Sequence, residues 1–112
     1  MARKDVPLCE VHERLGDVAD RTAGIGWHVA VVVDARRVVL GLLRAAELAK
    51  DAELTVEHAM RPGPSTFRSY VAIKEVADHM TQHELESSPI TTSDGKLVGL
   101  LFREDAVREA GA

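Results

Sequence analysis

VVVDARRVVLGLLRAAEL, residues Val31 to Leu48, is the stretch on which the reading of this chain turns. Two short runs of valine and leucine flank Asp34-Ala35-Arg36-Arg37. Apolar, β-branched runs bounded by polar turn residues predict a β-hairpin, here followed by a short helix. The pattern returns as PITTSDGKLVGLLFREDAV, residues Pro89 to Val107, with the turn at Ser93-Asp94-Gly95. Asp-Gly favours a hairpin because it readily takes the positive φ angles a tight turn needs. Gly41-Leu42-Leu43 and Gly99-Leu100-Leu101 stand 58 positions apart. The same offset carries Leu15-Gly16-Asp17-Val18-Ala19-Asp20 onto Ile73-Lys74-Glu75-Val76-Ala77-Asp78. One offset relating both a helical segment and a hairpin predicts an internal duplication, with repeats at 1–53 and 54–112.

The length, 112 residues, suits a small globular protein. Hydrophobic residues make up 46% and charged residues 29%, an ordinary folded balance that excludes disorder as the organising feature. Aromatics are only 4% and the net charge is −4, so neither a base-stacking platform nor a phosphate-binding basic surface is expected. Cys9 is the single cysteine and has no disulfide partner within the chain; it reads as a small, partly buried hydrophobe. No apolar run follows Met1-Ala2-Arg3-Lys4, and the longest, Val29 to Val33, is far too short to span a bilayer. A cytoplasmic protein with no membrane segment is expected.

Within the first repeat, Asp5 to Val11 can form a strand. Leu15, Val18, Ala19 and Thr22 then fall at helical spacing, and Gly24-Ile25-Gly26 ends that helix. Arg44 to Asp51 is the closing helix. The second repeat opens with a helical turn at Thr55 to Met60, capped by Thr55. Arg61-Pro62-Gly63-Pro64 is expected to be irregular, because two prolines and a glycine oppose regular structure. Ser65 to Tyr70 can be a strand. Ile73, Val76, Ala77 and Met80 mark an amphipathic helix, Arg103 to Ala110 closes the chain as a helix, and Gly111-Ala112 trails from it. The apolar faces of the two long helices, Val18, Ala19 and Thr22 and Val76, Ala77 and Met80, are candidate homodimer surfaces.

With the duplication in place, the chain resembles a tandem pair of cystathionine β-synthase (CBS) domains, the Bateman module. The likeness rests on Thr55-Val56-x-x-x-Met60, on the helix carrying Glu75-Val76-Ala77, on Asp94-Gly95-Lys96-Leu97-Val98-Gly99-Leu100-Leu101, and on Arg103-Glu104-Asp105. It implies an α+β fold of two βαββα repeats packed sheet to sheet with pseudo-twofold symmetry. It also implies homodimers and an inter-repeat cleft that often holds an adenosine nucleotide. In nucleotide-binding members the segment Gly-apolar-x-Thr/Ser-x-x-Asp joins the hairpin to the last helix. Its hydroxyl meets phosphate or ribose, and its carboxylate accepts from both ribose hydroxyls, which an acceptor-only group is suited to do.

The second repeat keeps the acid as Asp105 but has Phe102 in place of the hydroxyl, with Arg103 following. The first has Arg44 in place of the hydroxyl and Glu47 in place of the aspartate. Carried over by position, Thr66 sits on the opening strand, Ser88, Pro89 and Ile90 enter the hairpin beside a bound base, and Met60 and Arg61 lie at the mouth. An acid in a helix's first turn is also favoured by the helix dipole, and Met60 by core packing, with no ligand involved. His79 and His83 share a helical face at a spacing that can hold zinc, but no third ligand is evident and no metal is expected. No catalytic constellation stands out. The reading is a non-enzymatic regulatory module that senses AMP, ADP, ATP or S-adenosylmethionine as a ligand rather than a cofactor. The alternative is a structural module that dimerises and binds an unknown protein partner without nucleotide.

Overall fold

In a computed structural model, residues 2–111 are described, and Ala112, expected to trail from the last helix, lies outside them. The chain divides into two compact units. The first, Val6–Pro64, holds β1 (Leu8–Cys9), α1 (Leu15–Gly24), β2 (Ala30–Val33), β3 (Val39–Leu43), α2 (Ala45–Leu48), α3 (Val56–Ala59) and β4 (Arg61–Pro62). Its sheet runs β1-β2-β3-β4, with β1 parallel to β2 and the other pairs antiparallel. The second joins the segment ahead of Val6 to the chain from Ser65 onward. It holds β5 (Phe67–Arg68), α4 (Ile73–Gln82), β6 (Ser87–Thr91), β7 (Leu97–Phe102) and α5 (Arg103–Ala110), in a sheet ordered β5-β6-β7. Each unit therefore carries a βαββα sequence of elements, in an α+β fold.

The duplication is visible in the packing of each unit. Leu15, Val18, Val32 and Leu43 are buried together in the first, and Val76, Ile90 and Leu101 in the second. Full burial of one such side chain contributes about 1.5–3 kcal/mol. Both hairpins break register at the equivalent place, Val32/Val33 and Ile90/Thr91. The turns differ in chemistry. In the first, the Asp34 carboxylate accepts from the amides of Arg36 (2.8 Å) and Val38 (3.0 Å), while Arg37 takes the left-handed φ of 66°. In the second, Gly95 takes φ 86°, as Asp-Gly predicts, and Lys96 donates its amide to the Thr92 hydroxyl.

The packing boundary does not follow the repeat boundary. Residues after 53 return to the first unit: Leu15 and Val56 donate their amides to the carbonyls of Leu54 and Glu13 at 2.8 and 2.9 Å. The N-terminal arm around Arg3 belongs to the second unit, bridged antiparallel to Leu100. The two exchanges are equivalent, since Arg61 pairs with Leu42 just as Arg3 pairs with Leu100, one offset apart.

Several local expectations are corrected. Arg61-Pro62 is an edge strand, not an irregular stretch; proline is tolerated there because an outer edge needs no amide donor. The opening strand of the second repeat shrinks to Phe67–Arg68. α2 spans only Ala45–Leu48, and β1 only Leu8–Cys9. Thr55 holds the N-cap position of α3, but its hydroxyl bonds His58 Nδ1 at 2.8 Å instead of a backbone amide. Gly41 and Gly99 lie inside β3 and β7. Cys9 is fully buried, its thiol pushed up to about 12 mainly by burial and next by Glu13.

Candidate functional site at the start of the last helix

β7 runs straight into α5, with Phe102 as the N-cap residue and Asp105 in the first turn. That placement directs the Asp105 side chain to the exposed helix start, where unpaired amides favour a negative charge. Yet the residue is only 7% exposed. A buried carboxylate requires partners. Asp105 has two: Arg108, one turn on, donates from Nη2 to Oδ1, and Arg3 brings its Nη2 to 3.5 Å from Oδ2. The Arg3 guanidinium also lies over the Phe102 ring, 5.0 Å from its centroid, at cation–π range. An open depression of about 740 Å³ lies here, lined among others by Arg3, Glu86, Phe102, Arg103, Asp105 and Arg108.

The equivalent junction of the first repeat is closed on itself. Glu47 Oε1 accepts from the Arg44 amide (2.9 Å) and from Arg44 Nε (2.8 Å), while Oε2 accepts from Arg44 Nη2 (2.8 Å). The Arg44 hydrogen bond holds the Glu47 carboxyl below its ordinary value, against the opposing effect of burial. Both carboxylate oxygens are thereby engaged by the residue that stands where the family pattern has a hydroxyl. Phe102 cannot serve Asp105 in this way, so that acid draws its partners from the arm and from the next turn.

Of the other residues named from the sequence, Thr66 immediately precedes β5 rather than lying on it, and is half-buried. Ser88, Pro89 and Ile90 are buried on β6, and the Ser88 hydroxyl has no hydrogen-bond partner among the described residues. Met60 packs against the core of the first unit, and Arg61 is exposed on β4. Asp105, Phe102 and Arg103 are thus brought together in one depression. Arg3, Glu86 and Arg108 join them and were not singled out from the sequence. Arg108 was signalled by its i, i+3 spacing from Asp105, and Arg3 by standing one offset before Arg61.

His79 and His83 stack with ring centroids 4.3 Å apart, and Phe67 meets His79 edge-on at 5.1 Å. Among the described residues no three potential metal ligands are grouped, and no helix is long and apolar enough to cross a membrane.

The CBS domain family matches residues 56–111, half of the chain. The chain belongs to that family. As a CBS pair it is similar in fold to CBSX2, solved in complex with AMP, at 20% identity over 98% of this chain and 90% of that one, with TM-score 0.86. Staphylococcus aureus OpuCA is similar at 16% identity over 96% and 93%, TM-score 0.83. The cytosolic domain of the Mg2+ channel MgtE, solved with ATP, is similar at 22% identity over 93% of this CBS pair and 44% of that chain, TM-score 0.83. No curated protein matches the chain in sequence.

Proposed function

We propose that this CBS pair is a regulatory module that senses an adenosine-containing ligand in the cytoplasm, with the β7–α5 junction of its second repeat as the principal binding element. The observation that carries the reading is Asp105, a buried carboxylate at a helix start that opens onto a depression lined by Arg3, Phe102 and Arg108. A carboxylate can take a ribose diol, and arginines can take phosphate. The AMP and ATP held by CBSX2 and MgtE support the same ligand class at the level of fold. Glu47 is the weaker candidate: Arg44, the residue at its own helix start, holds both its oxygens at 2.8 Å, whereas the Arg3 contact to Asp105 is 3.5 Å long.

Thermal stability should rise with AMP, ADP, ATP or S-adenosylmethionine, because a ligand that binds only the folded state stabilises it. Calorimetry on Asp105→Ala should then show binding weakened by roughly ten- to over a hundredfold, the loss of a charge-assisted hydrogen-bond partner. Glu47→Ala should leave binding nearly unchanged. Equal losses in the two variants would overturn the assignment to the second repeat. No stabilisation by any of the four ligands would favour a protein-interaction module instead.

A further inference from the structure

We infer that Arg3 is a specificity-determining residue of the Asp105 site, and that it selects a phosphorylated nucleoside over adenosine and over the cationic S-adenosylmethionine. The inference rests on the adenosine reading above and names the ligand class more narrowly. The arm's backbone is fixed, because Arg3 donates its amide to the Leu100 carbonyl at 2.7 Å and accepts from the Leu100 amide at 2.9 Å. The side chain bridges the Phe102 ring and Asp105 Oδ2 while remaining half-exposed, and Arg108 holds Oδ1. Both carboxylate oxygens thus already have a guanidinium partner.

A ribose diol gripping this carboxylate must displace at least one of them, and the 3.5 Å pair with Arg3 is the longer. A neutral nucleoside exchanges a charged partner for hydroxyls and leaves the arginine without an anion. A sulfonium ligand adds positive charge beside it. A phosphate ester offers the displaced guanidinium a new anionic partner in the fork geometry it prefers, so the exchange is balanced. Glu86 and Glu104 line the same depression, so there is no diffuse positive field; an anion is held only where it meets an arginine directly. The first repeat lacks this exchange. Glu47 is closed by Arg44 of its own helix start, and Arg61, the counterpart of Arg3, makes no ion pair among the described residues.

The test is calorimetry of the wild type, Arg3→Met and Arg3→Lys with AMP, adenosine and S-adenosylmethionine. The wild type should bind AMP at least about tenfold more tightly than adenosine or S-adenosylmethionine, the scale of one charged hydrogen bond. Arg3→Met keeps the aliphatic stem; it should lose that preference, with adenosine bound as well as before or better. Arg3→Lys should retain much of it. A structural role alone would lower all three affinities together and leave their ratio in place. Equal binding of AMP and adenosine by the wild type, or an unchanged ratio in Arg3→Met, overturns the role of Arg3 while the adenosine reading stands. Binding of none of the three overturns both.

Discussion

Glu47 and Asp105 occupy one repeat position and are stabilised in opposite ways. Glu47 forms a two-pronged pair with the residue three before it, also capping the Arg44 amide. Its carboxyl is held below the ordinary value of 4.5, first by the Arg44 hydrogen bond. A depressed native value means the unfolded chain takes up the proton first. The contribution is therefore complete above about 4.5 and is lost as pH falls through the native value. Arg44 is 44% exposed, which screens the pair, so its worth is about 1–2 kcal/mol. Glu47→Gln should lower stability by that amount near neutral pH, and the deficit should vanish in acid. Urea unfolding of both proteins at about pH 7 and about pH 3 measures it; a deficit independent of pH would show that the charge is not what matters.

At the scale of the element, β3 and β7 are each flanked at a glycine, β3 by the edge strand β4 and β7 by the single bridge at Arg3. A Cβ on Gly99 would come within 2.9 Å of the Arg3 carbonyl oxygen, and one on Gly41 within 2.5 Å of Met60 Sδ. The neighbours differ in what they can yield. At Gly41 the nearest obstacle is the flexible Met60 thioether, with the Arg61 carbonyl behind it at 3.1 Å, whereas at Gly99 the nearest obstacle is itself backbone, held by two hydrogen bonds. Gly99→Val should therefore destabilise the protein by about 1–3 kcal/mol and loosen the arm that presents Arg3. Thermal melting gives the first effect, and faster hydrogen exchange at the Arg3 and Leu100 amides gives the second. An unchanged melting temperature would show that the arm shifts freely.

At the scale of the whole molecule, self-association is the property whose sequence argument has to change. Of the candidate dimer contacts, Val18, Val76, Ala77 and Met80 are buried in the cores of their own units, Thr22 is also buried, and only Ala19 is half-buried. Their helical spacing is the signature of a buried face, and spacing alone does not say which chain covers it. A homodimer remains our proposal, on a different surface. Val107 on α5 is 48% exposed and lines, with Ala110 and Gly111, a shallow groove whose other side is polar, from Lys74, Asp78, Thr81 and Gln82. Val107→Glu should shift sedimentation from dimer toward monomer at micromolar concentration. A wild type that sediments only as monomer would retire the dimer.

The 58-residue offset, read from letters alone, predicted two copies of one helix–strand–strand–helix unit. That was possible because hairpins and amphipathic helices are written in local periods of two and of about three and a half residues. Asp105 was legible as a candidate through the family resemblance, whose glycine-to-acid segment across a strand–helix junction is also local. What joins which unit was decided only in three dimensions. Arg61-Pro62 reads locally as a break, yet β3 offers it an edge, and proline can take an edge that asks for no amide. Arg3 sits some hundred residues from Asp105, where no spacing rule connects them. Their ion pair, and with it our assignment of Arg3 to the site, exists because Leu100 holds the arm in place and a buried carboxylate needs a partner that Phe102 cannot be.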